Sequence, residues 1–134
     1  MQLLLEVSFI YRNVHKFLHR KMPQKVTATA QLQCDKGTKA SELKVTSQDF
    51  STFEDKLIAT EQDAKPNENI LPFGSCKAKY NQACTPQTQK WDKTTQNDEI
   101  NGMKIVLETS ECMCKTGGKI TIIDKGHVGK TEAE

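Results

Sequence analysis

Residues 26–34 read VTATAQLQC. Val26, Ala28, Ala30, Leu32 and Cys34 are apolar, and Thr27, Thr29, Gln31 and Gln33 between them are polar. Successive side chains of a strand point to opposite faces, so this period of two predicts a half-buried β-strand with Cys34 on its inward side. Asp35-Lys36-Gly37 follows as a turn. A short strand is expected around Leu43 to Val45. Met103, Ile105 and Leu107 alternate after the Asn101-Gly102 turn, and Cys112 and Cys114 share a face if that strand continues. Gly117-Gly118 predicts a tight turn, and residues 119–123 a last strand carrying Ile120 and Ile122 on one side. The body is expected to be mainly β with long connections, over residues 48–69 and 77–101. Trp91 is the anchor of the second connection.

The chain ahead of this pattern differs. Leu3, Val7, Ile10, Val14 and Phe17 recur at helical spacing, with Arg12, Lys16, Arg20 and Lys21 gathering toward the end, where a helix dipole favours cations. Residues 1–21 are therefore expected as an N-terminal amphipathic helix. Met22-Pro23 offers a second start, so this helix reads as an appendage or an over-extended reading frame. Residues 22–128 form the expected domain, and residues 129–134 a flexible tail.

Composition narrows the classes of function. The chain has 134 residues, 36% hydrophobic and 6% aromatic, which predicts one domain with a thin core. Nineteen basic against seventeen acidic residues give a net charge of +2, too balanced to predict nucleic-acid binding. No run reaches the roughly 18 apolar residues that span a bilayer, and the N-terminal segment has the wrong polarity for a secretory signal.

Enzyme signatures fail in turn. Ser41-Glu42-Leu43-Lys44 and Lys115-Thr116-Gly117 match fragments of the penicillin-binding signature, but the Ser-x-Asn element between them is absent. His15 and His19 stand four apart without the glutamate of a zinc protease, and Gly126 to Lys130 is no phosphate loop. The expectation is a protein that is not an enzyme.

Five cysteines remain, at 34, 76, 84, 112 and 114. An odd number in a chain without a secretory signal fits a metal site with a spare thiol better than a disulfide framework, although buried unliganded thiols are the plain alternative. Cys34 and Cys114 each end a strand-like run before a glycine turn. Cys76 and Cys84 are delivered by polar loops, the first by Leu71-Pro72-Phe73-Gly74-Ser75, which halts any helix or strand and carries one side chain to a set place. A structural zinc site contributes about 10–16 kcal/mol in metal-dependent domains, as much as the whole net stability of an ordinary one.

The same residues carry a resemblance. The order runs from Ala30-Gln31-Leu32-Gln33-Cys34, through Asn69-Ile70-Leu71-Pro72-Phe73-Gly74-Ser75-Cys76, to Cys84-Thr85-Pro86 and Trp91. It closes with Ser110-Glu111-Cys112-Met113-Cys114 and Gly117-Gly118-Lys119-Ile120-Thr121-Ile122. Over about residues 22–126 this resembles the PAAR-like spike-tip family. The resemblance implies a small, conical, β-rich domain at the tip of a contractile injection system, either a type VI secretion system or a phage-tail-like particle. One copy would cap a trimeric VgrG-like spike, aiding membrane puncture and effector delivery, assembled in the cytoplasm and then secreted or injected. It further implies Cys34, Cys76, Cys84 and Cys114 as ligands of a structural zinc, with Cys112 the spare. Effector cargo and transient contact with the target membrane are implied partners, and nucleic acid is not. Departures are Lys36 where the family has an aromatic residue and Gly126-His127 where it has Gly-Gln. The alternative function is a stand-alone structural zinc module that binds partners through its N-terminal helix.

Overall fold

In the computed structural model, which describes residues 23–130, the chain is built from eleven short strands. They are β1 (Gln31–Cys34), β2 (Ser41–Glu42), β3 (Thr52–Phe53), β4 (Lys56–Leu57), β5 (Ser75–Cys76), β6 (Gln82–Ala83), β7 (Thr88–Asp92), β8 (Glu99–Ile100), β9 (Met103–Lys104), β10 (Glu111–Cys114) and β11 (Lys119–Asp124). Five of them form one antiparallel sheet in the order β2-β1-β11-β10-β7. The other six pair as three separate hairpins, β3-β4, β5-β6 and β8-β9.

This corrects the architecture expected from the sequence. Among the described residues the protein is mainly β in several antiparallel sheets, with no α-helix and only a 3₁₀ turn at Lys77–Lys79. A conical domain with an added N-terminal helix is not what they show, and residues 1–21, where that helix was expected, lie outside them. The long connections are themselves paired. Polar runs such as Thr88–Asp92 form strands because an edge strand needs only one buried side chain, here Trp91, to fix its register.

The opening run is also shorter than its alternation suggests. Thr29 has φ +73°, and Ala30 N–H bonds Thr27 O at 3.2 Å, so the chain turns before β1 begins. Val26 and Thr27 are both buried there, because Val26 N–H bonds Val106 O while Thr27 N–H bonds Lys125 O. The turn feeds two neighbouring segments with adjacent residues, which a period of two cannot do. Ile105, Val106 and Leu107 behave the same way, with all three buried.

The core is a single main cluster holding Leu32, Leu43, Ile70, Phe73, Trp91, Val106, Cys112 and Ile120, with a smaller one of Ile58, Ile100 and Ile105. Polar connections pack on it through a hub at Asp63, whose side chain is wholly buried. One carboxylate oxygen accepts the N–H groups of Thr46 and Ser47, both at 2.9 Å, and the Asn69 amide at 3.3 Å. The other accepts the Ser47 hydroxyl at 2.7 Å and the Thr60 N–H at 2.8 Å. Trp91 Nε1 donates to the Asp63 carbonyl at 2.9 Å, locking this hub to β7. At the chain's C-terminal side His127 is buried against Phe53, its Nε2 2.7 Å from the Lys25 carbonyl.

Candidate functional site

Antiparallel order brings three cysteine-bearing segments to one end of the main sheet. Cys34 closes β1 opposite Ile120 of β11, and the β10-β11 hairpin turns beside it, with Cys114 N–H bonded to Gly118 O at 2.9 Å. β7 runs antiparallel to β10 and pairs Thr88 with Cys114, so the chain leaving Cys84 enters the sheet at that same end. Gln87 N–H reaches Cys114 Sγ at 3.3 Å. Side-chain alternation then puts Cys34, Cys112 and Cys114 on the inward face, all buried.

The hairpin β5-β6 folds over this end as a flap. Thr38 N–H and Lys39 N–H both bond Phe73 O, at 2.9 and 3.1 Å, and Lys77 N–H bonds Lys36 O at 2.8 Å. Cys84 N–H bonds Gly74 O at 2.7 Å. Gly74 adopts φ +75°, and a Cβ there would meet Thr38 Oγ1 at 2.5 Å. A glycine is what lets Pro72-Phe73 bend the flap against the β1 turn. Gly118 is required for a related reason, since a Cβ on it would stand 2.5 Å from Cys34 Sγ.

The thiols differ in their surroundings. Burial pushes the Cys34 thiol up, and the nearby Cys114 and Cys84 thiols add to the effect as potential like charges. Burial opposes ionisation of Cys114 too, but the Thr116 hydroxyl at 2.9 Å and the N–H groups of Gln87 and Thr116 outweigh it and bring its pKa down. Cys112 is the opposite case: burial pushes it up to about 12, and its thiol donates to the Gln89 carbonyl at 3.0 Å.

Of the four residues expected as ligands, Cys34, Cys84 and Cys114 lie on segments that meet at this end of the sheet. Cys76 is tied to them by its backbone, which bridges Gly37 in the β1 turn, and is 4% exposed. Among the described residues no three His, Cys, Asp or Glu side chains stand in an arrangement that would hold a metal ion. The donor chemistry fits zinc in kind, with thiols carried by turns and N–H and O–H groups aimed at sulfur. The sequence reading missed the Cys114 partners Gln87 and Thr116. A backbone N–H leaves no trace in residue type, and Thr116 had been noticed only within a spurious Lys-Thr-Gly match.

The domain-of-unknown-function family DUF4280 matches residues 26–127. The chain belongs to that family. This DUF4280 domain holds the whole main sheet, the flap and all five cysteines within the matched stretch. No curated protein and no solved structure matches the chain.

Proposed function

We propose that this DUF4280 domain is a non-enzymatic spike tip, seated one copy per needle on a trimeric VgrG-like spike of a contractile injection system. The observation that carries the reading is the meeting of the segments that bear Cys34, Cys84 and Cys114, up to 80 residues apart in the chain, at one end of the sheet beside a flap that also carries Cys76. The PAAR-like order of motifs supports it, because it names those four cysteines as one zinc set. Zinc held there would stiffen turns that have little core of their own, which suits a part loaded by contraction. A cap also has work to do at rest. The end of a β-helical needle presents unpaired strand edges that invite pairing with other chains, and a β-rich cap covers them. Assembly would take place in the cytoplasm, and the tip would leave with the particle.

The test is to mix the purified full chain with a trimeric VgrG-like needle and weigh the complex by light scattering. One chain per trimer, with one zinc per chain by elemental analysis, is the expected result. A needle that stays bare at micromolar concentrations of both overturns the tip reading. A metal-free chain with four reactive thiols overturns the zinc set.

A further inference from the structure

The charge of this chain is unevenly placed. The thiol end, made of residues 34–39, 73–85 and 114–119, holds six lysines and a single acid, Asp35. The rest of the chain between Pro23 and Lys130 holds nine lysines against thirteen acids. A protein of net charge +2 is thus basic at one end of its sheet and acidic over the remainder.

The three segments form one surface. Asp35 N–H bonds Lys119 O at 3.1 Å and its carboxylate takes Lys119 N–H at 2.7 Å, joining the first segment to the third. Lys77 N–H on Lys36 O joins the flap to the first, and a Cβ on Gly117 would lie 3.7 Å from Ala78 Cβ, in ordinary contact between flap and hairpin turn. Lys39, Lys77, Lys115 and Lys119 are exposed on it, and Lys36 and Lys79 are half-buried. Counter-charge is sparse. Glu111 stands 3.8 Å from Lys119 Nζ but is shared with Lys93 at 3.0 Å, and Lys79 Nζ is held by the Thr85 hydroxyl at 2.6 Å. A four-thiolate site around a divalent cation would offset less than half of the local excess.

On the same surface stands Tyr80, 92% exposed. It follows the Lys77–Lys79 turn with φ +55°, a left-handed conformation uncommon for a bulky side chain, and so carries its ring outward into solvent. A tyrosine has an apolar body and a polar tip, which suits the boundary between headgroups and acyl chains. Lysine ammonium groups are hydrated point charges without the rigid fork that reads a single phosphate or carboxylate, and several spread over one face match a plane of anionic headgroups.

We propose that the thiol end is an electrostatic docking surface for an anionic phospholipid bilayer, with the lysines against headgroup phosphates and the Tyr80 ring at the interface. This rests on the tip reading for its setting, and it names what the leading end of the tip meets. The test is co-sedimentation of the full chain with phosphatidylcholine vesicles carrying about 30% phosphatidylglycerol, beside pure phosphatidylcholine vesicles. Binding is expected on the anionic vesicles alone, weakening at least about tenfold between about 50 and 500 mM salt. Lys77→Glu with Lys115→Glu is expected to weaken it about tenfold or more. The charge-matched Lys44→Glu with Lys65→Glu, outside this surface, is expected to leave it within about twofold, and Tyr80→Asn, which tolerates the backbone, to cost a few-fold.

Equal binding to neutral vesicles overturns the proposal. So does equal loss in the two charge-reversed pairs, or binding that ignores the Lys77/Lys115 reversal, which would assign it to the basic residues of segment 1–21. Tighter binding to a 20-base-pair duplex DNA than to vesicles, at matched phosphate, overturns it in favour of nucleic acid. Needle capping measured on the same proteins separates the two readings. A chain that caps the needle but ignores vesicles removes this inference alone, and one that binds vesicles without capping keeps the surface and removes the tip.

Discussion

Two regions of this domain face the same difficulty and meet it differently. Residues 44–70 and the thiol end are both polar connections lying over a modest core. The first is fastened by hydrogen bonds that converge on Asp63 and Asn69, with Trp91 as the bolt. The second has glycine-dependent turns, backbone bonds between flap and sheet, and four thiols, of which Cys34, Cys76 and Cys114 are buried and Cys84 half-buried. A carboxylate hub is complete as soon as the chain folds, since every lone pair it offers finds a donor of the same chain. A thiol set is different, because sulfur is a weak hydrogen-bond partner and gains most from a metal. The first region is therefore self-sufficient, and the second is where stability can be made conditional.

The largest break in that comparison comes from Asp63→Ala. It leaves the N–H groups of Thr46, Ser47 and buried Thr60 without their acceptor, and the expected loss is about 3 kcal/mol in denaturant unfolding. That loss is expected to be the same with and without a strong chelator. If chelator and substitution prove strongly non-additive, the two regions are one unit and the contrast fails.

Gly118→Ala strikes the thiol end at about 1–3 kcal/mol, because its Cβ and Cys34 Sγ cannot share the 2.5 Å between them. The checking measurement is melting temperature together with thiol titration. A variant that melts like the parent and shields Cys34 equally well would show that the turn yields freely.

Glu61 gives the smallest effect and sharpens the picture of the hydrogen-bonded region. Burial opposes its ionisation, but the Lys90 ion pair and the Lys104 N–H at 2.5 Å prevail, so its carboxyl sits below the ordinary value of 4.5. A lowered folded-state pKa contributes stability that is present above the unfolded value and lost as pH falls through the folded one. Glu61→Gln is expected to cost about 1 kcal/mol at pH 7, with the gap to the parent closing below about pH 4. A gap that is constant down to pH 3 would mean the charge of Glu61 contributes nothing.

Several of these features were legible in the residue order, and others were not. Cys112 and Cys114 on one face, the Gly117-Gly118 turn and the Trp91 anchor follow from local rules of alternation, turn chemistry and size. The edge strand Thr88–Asp92 escaped notice because its only buried side chain is Trp91, too little for a periodic signal. Thr29 escaped because its left-handed backbone sits inside a run whose alternation is otherwise unbroken. Asp63 escaped because a buried carboxylate and a solvated one look the same in a polar stretch.

By itself the sequence determined the β character of the chain, its punctuation by glycine and proline, and which cysteines precede turns, since each depends on a few neighbouring residues. Only the tertiary structure decided that Asp63 is a hub, that Cys114 and Cys112 have opposite tendencies to ionise, and that the segments bearing six lysines meet at the thiol end. Those are properties of distance between segments far apart in the chain, which sheet order sets together with the hydrogen bonds that fasten the connections and the flap.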